Sequence, residues 1–389
     1  MSVDGELVAL VDRVKARLVR SGDPPTAAHV AALLRAEGTV VGDRVLLDVV
    51  GAVRSELAGA GPLEPLLADP EVTDVLVNGP AEVWVDRGHG LERSTVSFAD
   101  AAAVSRLAQR LAAAGGRRLD AAKPAVDARL PGGVRLHAVL APISPAGTLI
   151  SLRIARARAF GLDELQARGS LTPDIARVLR GVVRRRLAFL VTGGTGSGKT
   201  TVLSSLLGEV PAGERIVLVE DSGELRPSHP HVVRLEARPA NVEGRGEVDL
   251  RELVRQALRM RPDRLVVGEV RGGEVVDLLA ALNTGHEGGC GTVHANEPAA
   301  LPARLEALAL AAGLGRVALH SQLAAAVQAV VHVGRDRDGV RRVAGVSVLD
   351  RDEAGLTRVV PALTVDRAGS VREAAGAEQL GALLADAGA

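Results

Sequence analysis

Apolar residues recur at helical spacing near the start of the chain. Leu7, Leu10, Val11, Val14 and Leu18 fall on one stripe, and Leu46, Val49, Val50, Val53 and Leu57 repeat it. This spacing predicts a helical segment over residues 1–60, broken at Gly22-Asp23-Pro24-Pro25. From Gly61 the texture changes to short β-like runs at 74–78, 82–86, 135–140 and 148–153. A helix over 101–114 lies among them and stops at Gly115-Gly116. These signals predict an α+β domain over 61–155, followed by a linker over 156–170.

Thr172-Pro173-Asp174 then carries the marks of a helix start: a hydroxyl cap, proline at the first helical position and an acid in the first turn. That helix ends in Arg184-Arg185-Arg186, a basic run that complements the helix dipole, with a binding patch as the alternative. Apolar runs at 187–191, 216–219, 232–235 and 265–267 alternate with helical stretches. Alternation of this kind predicts an α/β domain with a largely parallel sheet over 171–365. The Ala- and Gly-rich residues 366–389 read as a flexible tail.

The most informative side chain is Lys199. Lys and Arg total 47, yet Lys15, Lys123 and Lys199 are the only lysines. The third closes Gly193-Gly194-Thr195-Gly196-Ser197-Gly198-Lys199-Thr200, a G-x-x-x-x-G-K-[ST] loop. Backbone N–H groups of such a loop wrap phosphates while a compact ammonium reaches the β and γ positions. A forked guanidinium has the wrong shape for that point charge. The loop lies between an apolar strand and a helix opening at Thr201, where amide donors and the positive end of the dipole converge. Thr200 is placed to offer its hydroxyl to Mg2+.

Two apolar strands that end in acids follow the loop. One is Ile216-Val217-Leu218-Val219-Glu220-Asp221, the other Leu265-Val266-Val267-Gly268-Glu269. At the carboxyl edge of an α/β sheet, such acids orient Mg2+ through water or polarise an attacking water. The segment from Thr284 to Asn296 holds His286, Cys290 and His294 among glycines. Its spacing fits no zinc pattern, and Cys290 is the only cysteine. A γ-phosphate sensor suits it better, with a buried hydrogen bond of His294 as the plain alternative.

Composition narrows the class. The formal net charge is +0, so there is no basic footprint for nonspecific nucleic-acid binding. One Trp, three Phe and no Tyr leave no platform for stacking single-stranded bases. A single cysteine excludes an internal disulfide, and no apolar stretch approaches the ~20 residues of a membrane helix. The first residues lack the basic start and apolar centre of a signal peptide.

Taken with these residues, the chain resembles the ATPases that power type II and type IV secretion and type IV pili. That superfamily has four ordered elements, here Gly193 to Thr200, Glu220 to Glu224, Leu265 to Glu269 with Arg271, and His286 to His294. Within it, segments 61–67, 126–131, 230–236, 238–244, 258–263, 268–274 and 283–286 are most similar to the Tad pilus assembly ATPases, the CpaF-like branch. The resemblance implies a homo-hexameric ring with ATP between an N-terminal domain and a RecA-like motor domain. It implies phosphate and Mg2+ binding by Lys199 and Thr200, and a catalytic role for Glu269. Glu220 matches the second acid, and His286 and His294 match a pair near the γ-phosphate. Arg129 and Arg135 occupy the stretch that supplies arginine fingers in related motors.

The chain departs from the family at Gly289-Cys290-Gly291, where Ser, Leu and Thr are more usual; two extra glycines should loosen that segment. Paired C-x-x-C motifs of the type II assembly branch are excluded by the lone cysteine, so no zinc is expected. The expected function is an ATP-hydrolysing motor for a Tad-type pilus or a type II/IV secretion apparatus. It would be cytoplasmic, seated on the inner face of the membrane against a platform protein, without direct nucleic-acid contact. A DNA-transfer traffic ATPase and a nucleotide-gated scaffold without productive hydrolysis are the alternatives.

Overall fold

A computed structural model of the protein describes residues 10–11, 13–15, 17–18, 26–36, 42–88, 90–154, 159–238, 245–336 and 339–385. The chain forms two compact units, Met1–Arg156 and Ala157–Ala389.

The first unit opens with helices α1 (Ala27–Ala36) and α2 (Asp43–Ala58). Their Val30, Leu34, Val49, Val50 and Val53 bury against Leu10, Val11, Val14 and Leu18. The apolar stripes expected there form a core with Val30 and Leu34 of α1, a helix inside the helical segment expected over 1–60 but outside either stripe. Leu7 and the break at 22–25 lie outside the described residues.

After the single-turn α3 (Glu64–Ala68), six antiparallel strands make one sheet. They are β1 (Asp74–Gly79), β2 (Glu82–Asp86), β3 (Leu91–Arg93), β4 (Ala125–Arg129), β5 (Arg135–Val139) and β6 (Leu149–Arg153), in the order β3-β2-β1-β6-β5-β4. Alternation puts Val75, Val77, Val83, Val85, Leu136, Ala138, Ile150 and Leu152 on one buried face. Helix α4 (Ala101–Ala114) covers that face with Val104, Leu107 and Leu111. Asp100 caps this helix by accepting the Ala103 N–H at 2.6 Å, and the helix ends at Gly115 as expected.

In the second unit, α5 (Leu162–Ala167) lies within the stretch expected to be a linker. Its Leu162 and Leu165 belong to the unit's core, because apolar side chains at helical spacing gain more from burial than from exposure. Helix α6 (Pro173–Arg184) starts on Thr172, whose hydroxyl accepts the Ile175 N–H, with Pro173 in its first turn. Then come β7 (Phe189–Gly193), α7 (Lys199–Leu207), β8 (Ile216–Glu220), β9 (Val232–Glu236), α8 (Leu250–Leu258), β10 (Arg264–Val270), α9 (Glu274–Leu282) and β11 (Cys290–His294). After them follow α10 (Leu301–Ala311), α11 (Arg316–Ala326), β12 (Ala329–Arg335), β13 (Arg341–Arg351), β14 (Thr357–Val365), β15 (Val371–Glu373) and α12 (Ala377–Leu384).

The nine-stranded sheet runs β15-β14-β13-β12-β7-β11-β10-β8-β9. Its six strands from β12 to β9 are parallel, and β13 to β15 extend it antiparallel. The largely parallel expectation therefore holds for two thirds of the sheet, and the antiparallel extension is new. Buried on both faces, the central strands split their side chains between two cores. Phe189, Val191, Leu218 and Val266 face α6 and α7, while Leu190, Val219, Val267 and Val293 face α8 to α11.

The residues beyond 366 are not a frayed tail. Strand β15 pairs with β14, and Leu380 of α12 is buried, with Leu383 and Leu384 packed onto the same core. Leu384 approaches so closely that a Cβ on Gly181 of α6 would lie 2.9 Å from its Cδ2. Among the described residues, no helix is long and apolar enough to cross a membrane.

Candidate nucleotide site

The phosphate loop leaves β7 at the carboxyl edge of the sheet and ends on α7, as the motif requires. Three of its glycines have positive φ: Gly193 at 157°, Gly196 at 68° and Gly198 at 100°. Gly193 also has no room for a side chain, since a Cβ there would lie 2.4 Å from the Val333 carbonyl and 2.5 Å from Ser197 Oγ. Thr195 and Gly196 form the exposed tip, Ser197 is buried, and Gly194, Thr200 and Thr201 are half-buried.

Lys199 is only 9% exposed. Its Nζ turns back and donates to the carbonyls of Gly193 (3.0 Å) and Gly194 (2.9 Å). Burial pulls its pKa below the ordinary lysine value, opposed by the charges of Glu269 and Glu224. Acids from β10 and from the loop after β8 thus act on the same ammonium.

Glu220, at the end of β8, is 3% exposed. Its Oε1 accepts N–H groups of Glu224 (2.8 Å) and Leu225 (3.0 Å), which folds residues 221–225 around the carboxyl group. Its Oε2 is buried without a partner among the described residues. Burial raises its pKa, and the two backbone donors counter only part of that. Gly268 on β10 makes space for it: a Cβ there would stand 2.7 Å from Glu220 Cγ. The β10–β11 register slips between Val267 and Val270, which turns the Glu269 side chain outward, and the Thr292 hydroxyl donates to the Gly268 carbonyl at 2.7 Å. Arg271 pairs with Asp221, linking the two acidic strand ends. Glu274, the first residue of α9, accepts the N–H groups of Arg271 (2.6 Å) and Gly272 (2.7 Å) and so fixes the turn after β10.

The two histidines of the glycine-rich segment are separated. His294 ends β11 opposite Gly193, beside the phosphate loop. His286 precedes the other end of that strand, where Cys290 pairs with Phe189, and its Nδ1 lies 3.3 Å from the Ala281 carbonyl. Four residues of β11, Cys290 to Val293, lie between the pair, so the parallel register puts His286 towards the opposite edge of the sheet. Nor do the glycines loosen this segment. Cys290 is fully buried, and Cβ atoms on Gly289 and Gly291 would fall 2.4 Å from Leu282 Cδ2 and 2.7 Å from the Val267 carbonyl. They permit close strand packing rather than mobility. Burial pushes the Cys290 thiol up to about 12.

Arg129 and Arg135 belong to the first unit, where they face each other across β4 and β5. Segment 239–244, part of the family resemblance, lies outside the described residues. His332 is a site residue that the sequence did not single out. On β12 it sits level with Thr192 and shares a hydrogen bond of 2.9 Å with that hydroxyl. Burial lowers its pKa, Lys199 adds to the lowering, and Glu297 opposes it. A polar residue interrupting Val330-Val331 and Val333 was the available signal.

The arrangement suits a polyphosphate and a hard cation. Thr200 offers a hydroxyl in the first turn of α7, and Glu269 an exposed carboxylate near the end of β10. Among the described residues, no three His, Cys, Asp or Glu side chains gather as a metal set.

The family described as "Type II/IV secretion system protein" matches residues 56–354. A Mycobacterium tuberculosis H37Rv protein named "Putative conjugal transfer protein" is 58% identical over 334 residues, 84% of this chain and 95% of its own. Type IV secretion system protein PtlH of Bordetella pertussis is 35% identical over 295 residues, 70% of this chain and 86% of its own. In fold, the chain is similar to the ATPase DotB of Legionella pneumophila, with a TM-score of 0.50 and 18% identity over 83% of this chain and 82% of that one.

Proposed function

The chain belongs to the type II/IV secretion system protein family, and on that premise we propose that it is a Mg2+-dependent ATPase working as a hexameric motor. One observation carries the reading: on a glycine loop between β7 and α7, the buried Lys199 is held with its Nζ on the Gly193 and Gly194 carbonyls, where phosphates would lie. Lys199 and the loop N–H groups hold the β and γ phosphates. Glu269 orients the attacking water and takes up its proton as the γ phosphorus–oxygen bond to ADP breaks. Glu220 keeps the 221–225 turn in place, Arg271 steadies Asp221, and His294 stands by the γ-phosphate. Mg2+, held through Thr200 and through water by Glu269, would neutralise charge on the leaving group. Arg129 and Arg135 act as fingers that stabilise the transition state.

The work done is assembly of a Tad-type pilus, which the resemblance of segments 61–67, 230–236 and 258–263 supports. A ring of this kind would stand on the inner face of the membrane, against a platform protein. A second reading is a traffic ATPase for DNA transfer, favoured by the conjugal-transfer name of the 58%-identical relative. Phosphate release by the purified chain with Mg·ATP tests the chemistry. Lys199→Ala and Glu269→Gln should abolish it, and wild-type rates from either would sink the site assignment. Cross-linking in the native cell separates the two machines: small pilins with a polytopic membrane protein support the pilus, whereas a relaxase supports DNA transfer.

A further inference from the structure

Arg341 opens β13 at the same edge of the sheet as the phosphate loop, directly opposite Arg335 on β12. Its stem drapes over the loop: Cδ lies 3.7 Å and Cβ 4.0 Å from the position that a Cβ on Gly198 would take. Val333 lies on the same spot, its Cγ1 at 4.0 Å. Gly198 is the residue at which the loop turns, with φ 100°, into α7.

Among the described residues, the other arginines of β12 and β13 each have a hydrogen-bond partner. Arg342 binds Asp336 and the Arg367 carbonyl, Arg335 binds the Gly339 carbonyl, and Arg351 binds the Ser321 carbonyl. Arg341 has no such partner among the described residues, and its Nε is buried without an acceptor. A half-buried guanidinium facing another arginine across the strand pair and close to a lysine-bearing loop is arranged for an anion.

We infer that Arg341 is a nucleotide-binding residue that grips the α-phosphate side of the nucleotide. This rests on the reading of 193–200 as a phosphate loop and extends it. The strand order sets which end of the nucleotide it meets. Glu269, Glu220 and His294 lie on the β11, β10 and β8 side of β7, where a metal and an attacking water belong. Arg341 lies on the other flank, beyond β12. The γ-phosphate is held among the acids and the metal, so the portion passing Arg341 is the α-phosphate leading to the ribose. A guanidinium there contributes equally to ADP and ATP, unlike a γ-phosphate sensor.

Calorimetric titration of ADP and of Mg·ATP into the full chain tests this. Arg341→Gln, which keeps a stem over Gly198, should bind both about tenfold or more weakly, the loss of one charge-assisted hydrogen bond. Arg341→Lys should recover part of that loss. Unchanged affinity for both nucleotides overturns the inference, and so does weakening of ATP alone, which would put the arginine at the γ-phosphate. If the wild-type chain binds neither nucleotide, the phosphate-loop reading itself fails, and the inference with it. Phenylglyoxal labelling of the wild-type protein gives a readout that needs no variant. ADP should protect Arg341 from modification, and equal labelling with and without ADP counts against the proposal.

Discussion

Lys199→Met should separate stability from binding. The lysine spends its ammonium on two backbone carbonyls, at 3.0 and 2.9 Å, with no carboxylate of the described residues bonded to it. Desolvation of the ammonium prevails over the attraction of Glu269 and Glu224, as the lowered pKa records. Methionine has a similar length, fills the same buried space and removes both the bonds and the cost. The net change in folding free energy should stay within about 1 kcal/mol of zero. For a unit of this size, about 2–4 °C of melting temperature corresponds to each kcal/mol, so Tm should move by no more than about 4 °C. Nucleotide binding should behave otherwise, because a buried charge partner of phosphate is worth about 2–5 kcal/mol, roughly 30-fold to several thousand-fold in affinity. Scanning calorimetry gives the first number and titration with ADP and Mg·ATP the second. A Tm fall of about 10 °C would mean that the lysine is mainly structural. ATP affinity within about threefold of wild type would mean that its ammonium does not serve the phosphates.

Two further outcomes follow from groups around the same sheet. The folded-state pKa of His332 lies below the ordinary value of 6.5, so on acidification the unfolded chain takes up this proton first. Its contribution to stability is intact above about 6.5 and is lost as pH falls from there through the depressed value. His332, faced by Thr192, Lys199 and Glu297, should therefore make the wild-type Tm fall more steeply below pH 6.5 than that of His332→Gln; parallel curves would refute this. Arg264 is 1% exposed, binds Glu214 at 2.6 Å and donates to the Val183 carbonyl at 3.0 Å. Arg264→Met should cost about 3 kcal/mol by leaving Glu214 with only Arg186, at 4.0 Å, a Tm loss of about 6–12 °C. A loss under 2 °C by calorimetry would show that the pair is dispensable.

What the sequence determined by itself was local. The strands at β1, β2, β5, β6, β7, β8 and β10, the start of α6 at Thr172-Pro173, and the phosphate loop are each written in contiguous residues, because period, caps and backbone-specific glycines act over a few positions. Glu220 and Glu269 could be paired as candidates for the same reason, each being an acid that ends an apolar strand.

Tertiary structure decided whatever depends on register and on neighbours in space. It parted His286 from His294, because a strand between two nearby residues carries them to opposite edges of a parallel sheet. It gave Gly268 a purpose, the room for Glu220, and gave Gly289 and Gly291 tight packing where sequence suggested looseness. It brought His332 level with Thr192 and Arg341 onto Gly198, across some 140 residues of chain in each case, through strand pairing that no local pattern encodes. The final residues repeat the lesson. Ala- and Gly-rich composition offers little to bury, yet Leu380, Leu383 and Leu384 suffice once a core face stands open for them, and only the folded sheet provides that face.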